Sequence, residues 1–139
     1  MNGAVNGAIE AAGLWAALSV LMLLVLSGLT SASRRRHKIS IGDGGVDQVA
    51  AASRAFGNAA EYMPIALVAL ILLALTGFPL WSIHLVGGGF FVGRLLHAWG
   101  MLTTQQGKPP TPGRMIGMLL TYLPLLGSAV ALIWRFAAG

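Results

Sequence analysis

The stretch Arg54-Ala-Phe-Gly-Asn-Ala-Ala-Glu-Tyr-Met-Pro64 runs without a break into the apolar sequence Ile65 to Leu75. Together they are long enough to cross a bilayer, so the segment reads as a membrane-spanning helix whose first half is polar. Arg54, Asn58 and Glu61 stand at i, i+4 and i+7, which puts all three on one helix face. A cation and a carboxylate facing lipid are costly, and a helix that merely crossed the membrane would carry Leu or Val there. The face is therefore expected to look into protein and to meet something polar.

Composition supports the membrane reading. Of 139 residues, 56% are hydrophobic and 9% charged, whereas a soluble domain carries about a quarter charged residues. The length suits a single domain of four spans of roughly 20 apolar residues each. There is no Cys, which excludes disulfides, a cysteine nucleophile and thiolate metal sites. The histidines at 37, 84 and 97 have no second His or carboxylate at i+3 or i+4, so no metal site is expected. No Ser-His-Asp set suggests itself either.

The net charge of +5 has a local source: Arg34, Arg35, Arg36 and Lys38 cluster just after the first span. Juxtamembrane basic residues are topology signals and anionic-lipid contacts, so no nucleic-acid partner is expected. The same cluster argues against a cleaved signal peptide, in which positive charge precedes the apolar run.

Working outward, spans are expected at about 11–29, 49–76, 80–104 and 114–134, giving an all-α membrane protein built as a four-transmembrane-helix bundle. Between the first two lies a loop, Ser33 to Gln48, in which Asp43, Gly44 and Gly45 predict a tight Asx-type turn. Without a following Lys-Ser/Thr, this turn is not read as a phosphate loop. Pro64 and Pro124 are expected to bend their helices. Gly87-Gly-Gly89 and Gly93 predict close helix approach in the third span. The positive-inside rule puts the first and third loops in the cytoplasm and both termini outside.

Depth brings the polar groups together. At about 1.5 Å per residue, Glu61 and Arg94 fall at roughly 20 and 16 Å from the cytoplasmic ends, so an ion pair near the midplane is expected. Arg54, Asn58 and His97 lie nearer the basic mouth. One reading makes Glu61–Arg94 a structural pair that holds the bundle together. Against it, the layer holds two arginines, a histidine and one acid, a surplus of positive charge that favours an anionic ligand. A transporter with a proton-carrying Glu61 is a third reading. Tyr62, beside the polar face, is placed either against a ligand or between helices.

Arg-x-x-x-Asn-x-x-Glu-Tyr-x-Pro at 54–64 resembles the second-helix motif of the MAPEG family, the membrane-associated proteins of eicosanoid and glutathione metabolism. Gly42-Asp-Gly-Gly45 and Gly93-Arg-Leu-Leu-His-Ala-Trp-Gly100 look like its bacterial branch. The resemblance implies a four-helix protomer in a bacterial inner membrane. It also implies a homotrimer with glutathione held between protomers near the cytoplasmic face. Arg54, Asn58, Glu61 and Tyr62 match second-helix positions that line that site, and Arg94 and His97 match third-helix positions. Leukotriene-synthase-like members have Tyr where this chain has His97, and prostaglandin-synthase-like members have His. A later Tyr of the leukotriene synthases becomes Met101. The thiolate-stabilising arginine falls on Lys108 when counted without gaps and on Arg114 with one.

What the family implies agrees with the charges. Glutathione is a net anion, suited to Arg54, Arg94 and the basic mouth, and its ammonium needs an acid, for which Glu61 is available. A nearby Lys or Arg lowers a thiol from a pKa of about 8.5 toward neutrality. The function implied is a glutathione-dependent transferase or peroxidase, with a lipophilic co-substrate entering from the membrane lipid. A non-catalytic glutathione- or lipid-binding protein of the same fold and a small multidrug-type transporter are the alternatives.

Overall fold

The computed structural model describes residues 3–104 and 107–138; Gln105 and Gln106 of the third loop lie outside the described residues. Four helices follow one another: α1 Gly3–His37, α2 Asp47–Leu75, α3 Leu80–Thr103 and α4 Pro112–Ala137. Each is long and apolar enough to cross a membrane. They form an antiparallel bundle in which α1 packs on α2 and α3, and α4 packs on α3 and α2. Among the described residues the backbones of α1 and α4 do not approach each other, so the two helices flank the central pair.

α1 exceeds its expected span at both ends. Its 35 residues amount to about 52 Å, against a hydrocarbon core of about 30 Å. The helix continues through the basic cluster because Arg34, Arg35, Arg36 and His37 fill its last turn, where cations complement the helix dipole. It closes in a Schellman motif: Ile39 N–H donates to Arg34 O and Lys38 N–H to Arg35 O, at 3.0 and 3.2 Å. Lys38 takes the left-handed conformation at φ 56. The first loop therefore shortens to residues 38–46. Its Asx turn forms as expected, with Gly45 N–H donating to Asp43 Oδ1 at 3.0 Å and both Gly44 and Gly45 at positive φ. α2 runs on through Pro64 and ends in a second Schellman motif around Gly77, φ 85.

The α3–α4 pair is held by glycines. A Cβ on Gly93 would lie 2.8 Å from the Leu120 carbonyl carbon, and one on Gly117 would strike the backbone at His97 and Gly93. Only residues without a side chain let the backbones come this close. Gly87, by contrast, makes room for the Trp15 indole of α1. Two apolar clusters result. The one nearer the chain termini gathers Ala8, Ala11, Ala12, Leu70, Leu73, Ala74 and Ile83. The one nearer the basic loops, on the α1 side of α2 and α3, gathers Met22, Leu26, Ala55, Ala59, Met63, Phe90 and Met101.

Candidate functional site

The site builds from the ends of α2, α3 and α4 that meet at the basic first and third loops. Thr111 caps α4: its hydroxyl accepts from Arg114 N–H at 3.4 Å and lies 3.2 Å from Gly100 O, to which it donates. Pro112 follows at the first helical position, where its missing N–H costs nothing. This double tie fixes the start of α4 against the end of α3 and sets the direction of Arg114.

A cavity of about 580 Å³ opens between the three helices, walled by Arg54 and Asn58 of α2, His97 and Met101 of α3, and Arg114, Met115, Met118, Leu119 and Tyr122 of α4. A second hollow of about 310 Å³ shares Arg54, Met101 and Arg114 with it and adds Asp47, Thr104 and Lys108. The two hollows adjoin at these three residues, the smaller lined by basic side chains and the larger adding an apolar wall of Met115, Met118 and Leu119. Arg114 faces both parts, whereas Lys108 reaches only the outer one. Of the two candidates for the thiolate-stabilising cation, Arg114 is the one that enters the inner chamber.

Behind the wall, Arg94 is fully buried. Its Nη1 donates to Asn58 Oδ1 at 3.1 Å, and its guanidinium sits over the Tyr62 ring, 5.4 Å from the centroid. Its Nε and Nη2 have no partner among the described residues. His97 is 3% exposed and its Nδ1 is likewise unpartnered.

The expected Glu61–Arg94 ion pair is therefore corrected. Arg94 bonds to the amide of Asn58, and Glu61 lies exposed on the outer surface of the protomer. Depth placed the two at one level, but azimuth separates them. At 3.6 residues per turn, Asn58 is rotated about 40° from Arg54 toward the buried Ala55–Ala59 face, and Glu61 about 20° the other way. The polar stripe thus runs along the edge of the helix–helix contact, and within one protomer only its middle member turns inward.

Tyr62 takes the position between helices: its hydroxyl lies 3.2 Å from that of Tyr122 on α4. His84 is exposed near the start of α3, edge-on to Trp15 with ring centroids 6.1 Å apart. Sequence reasoning missed Tyr122 and the wall leading to it. Met115, Met118, Leu119 and Tyr122 stand at i, i+3, i+4 and i+7, a stripe that marks one helix face. That periodicity was the available signal, but in an apolar helix it does not separate a face lining a cavity from one facing lipid.

With this geometry in view, the comparison with known proteins is decisive. The model of the MAPEG family matches residues 12–134. The chain belongs to the MAPEG family. Two curated relatives, each called Inner membrane protein YecN and from two strains of Escherichia coli, are each 33% identical over 121 residues, 87% of this chain and 88% of the relative. No solved structure gives a significant match. With four spanning helices and inner-membrane relatives, this MAPEG protein is an integral inner-membrane protein.

Proposed function

We propose that this MAPEG protein is a glutathione-dependent transferase or peroxidase acting on lipophilic electrophiles. The observation that carries the reading is the shape and charge of the recess. Arg54, Lys108 and Arg114 converge on its mouth from α2, the third loop and α4, with Asp47 the one acid among them, and the interior beyond is apolar. An anionic thiol suits the mouth, and a lipid-soluble partner suits the interior. The unpartnered nitrogens of Arg94 add donors just behind the wall, and His97 in the wall presents an Nδ1 that donates or accepts according to its tautomer.

In this reading Arg54 and Lys108 hold carboxylates, Asn58 is kept in orientation by Arg94, and Arg114 stabilises the sulfur as thiolate. When bound, glutathione supplies the nucleophile or reductant. The apolar wall excludes water from the sulfur and holds the lipophile beside it. Glu61, exposed at mid-membrane depth, is a poor group to leave against lipid. Its position fits a homotrimer in which a neighbouring protomer covers it and the thiol's ammonium pairs with it. Both termini are periplasmic and the basic loops cytoplasmic.

A second reading, binding without turnover, is favoured by Met101. It lines both parts of the recess with a thioether where leukotriene-synthase-like relatives present a phenol.

The test is calorimetric titration of the detergent-purified protein with glutathione. Saturable binding is expected, weakened at least tenfold, about 1.4 kcal/mol, by Arg54→Ala and by Glu61→Gln. Unchanged affinity in both variants would overturn the site. Thiol-dependent turnover of a chlorinated nitrobenzene then separates the enzyme from the non-catalytic binder.

A further inference from the structure

The inner end of the cavity carries a feature that the thiol reading leaves unused. Tyr122 lies eight residues beyond Arg114 on α4, about 12 Å deeper along the helix. It is 45% exposed and forms part of the cavity wall. Its hydroxyl and that of Tyr62 lie 3.2 Å apart, so one phenol donates to the other. Two phenols carry two O–H protons, and one hydrogen bond between them uses only one. The second proton is left to donate. A hydroxyl in an apolar, water-poor setting is unfavourable until it finds an acceptor.

The pair is also held in place. Tyr62 packs its ring under the Arg94 guanidinium at 5.4 Å, and Arg94 is anchored in turn by Asn58. The two tyrosine rings lie 5.9 Å apart at 57°. Asn58, Arg94, Tyr62 and Tyr122 thus link the three helices around the cavity, ending in a phenol on its wall that can donate when Tyr62 donates to it. Between this donor and Arg114 the wall is Met115, Met118 and Leu119. Thioether side chains adapt to many apolar shapes and make no polar demand of their own.

We propose that the Tyr62–Tyr122 pair is a recognition subsite for the far end of the co-substrate. The molecule it selects is an amphiphile with an apolar body about two helical turns long and a hydrogen-bond acceptor, such as an ester or ketone oxygen, at the end remote from the electrophilic carbon. This rests on the thiol-and-lipophile reading of the cavity and adds the substrate class. Tyr122 is the residue that touches the acceptor, and Tyr62 positions it.

The experiment measures binding without chemistry, so that it does not depend on thiol turnover. A radiolabelled long-chain fatty-acid methyl ester and the alkane of equal length are titrated separately onto the protein in nanodiscs, with empty nanodiscs subtracting lipid partition. The ester is expected to bind at least tenfold more tightly than the alkane, a difference of about 1.4 kcal/mol. That preference is expected to collapse in Tyr122→Phe and to survive in part in Tyr62→Phe, which keeps the Tyr122 hydroxyl. Equal affinity of ester and alkane for the wild-type protein would overturn the proposal without any variant being made. So would a preference that persists in Tyr122→Phe, or one lost only in Tyr62→Phe. A preference seen in a protein that never turns over thiol would leave the subsite standing and sink the enzymatic reading alone.

Discussion

The two ends of this bundle use the same four helices in opposite ways. Toward the termini, alanines of α1 let it settle against Leu70, Leu73 and Ile83. The gap around Trp15, Ser19, Gly87 and Ser128, between this region and the middle of the bundle, has shrunk to about 10 Å³. Toward the basic loops, α4 is drawn so tightly onto α3 by Gly93, Gly100, Gly113 and Gly117 that it leaves α2, and a cavity of about 580 Å³ remains between them. In a membrane, lipid is as apolar as the core, so the end toward the termini is held, among the described residues, by van der Waals packing. The inner end gives up some of that packing for polar groups whose hydrogen bonds are incomplete. A close approach on one side of a helix is what opens space on the other, so the glycines of α3 and α4 are as much a part of the site as its arginines.

Breaking the α3–α4 contact is expected to have the largest effect. Gly117→Val drives a side chain into the backbone at His97 and Gly93, and is expected to cost about 3 kcal/mol, read by thermal unfolding in detergent. Gly127→Ala, whose Cβ meets nothing within 4 Å, is the matched control, with stability unchanged or slightly raised. Next comes Leu73→Ala in the dry end, expected to cost about 2–3 kcal/mol while glutathione titration returns wild-type affinity. A loss of affinity there would show that the two ends are coupled.

The polar layer gives a finer test. Asn58→Leu removes the one acceptor that a fully buried guanidinium has among the described residues and is expected to cost about 2 kcal/mol. Arg94→Met removes the charge itself and is expected to cost less, since replacing a buried charge by a hydrophobe of similar volume is often near neutral. The double variant should then be no worse than Asn58→Leu alone, and additive losses would break this account of the pair. The smallest effect belongs to the mouth. Lys108→Ala is expected to weaken glutathione binding less than tenfold, under 1.4 kcal/mol, and Arg114→Ala to weaken it more and to abolish turnover. The reverse order would restore Lys108 as the thiolate partner.

Much of this was legible in the chain. The apolar runs and the punctuation by Pro79, Gly77 and the Asp43–Gly45 turn determined four spans and their order, because hydropathy and turn chemistry are local properties. The 54–64 motif marked the stretch of α2 that brings Arg54 and Asn58 to the cavity. Those statements need no knowledge of which helix lies beside which.

Tertiary structure alone decided the rest. Arg94 and Glu61 share a depth, but rotation of α2 about its axis gave Arg94 to Asn58 and turned Glu61 outward, and no one-dimensional pattern carries that angle relative to a neighbour. Arg114 rather than Lys108 reached the inner chamber because Thr111 pins the start of α4 to Gly100, a contact between residues eleven apart. Tyr122 entered the site because α4, packed on α3, turns its Met115–Tyr122 stripe to the cavity and brings Tyr122 against Tyr62 of α2. Sequence determines which residues a helix carries; which of them meet depends on how closely the backbones approach.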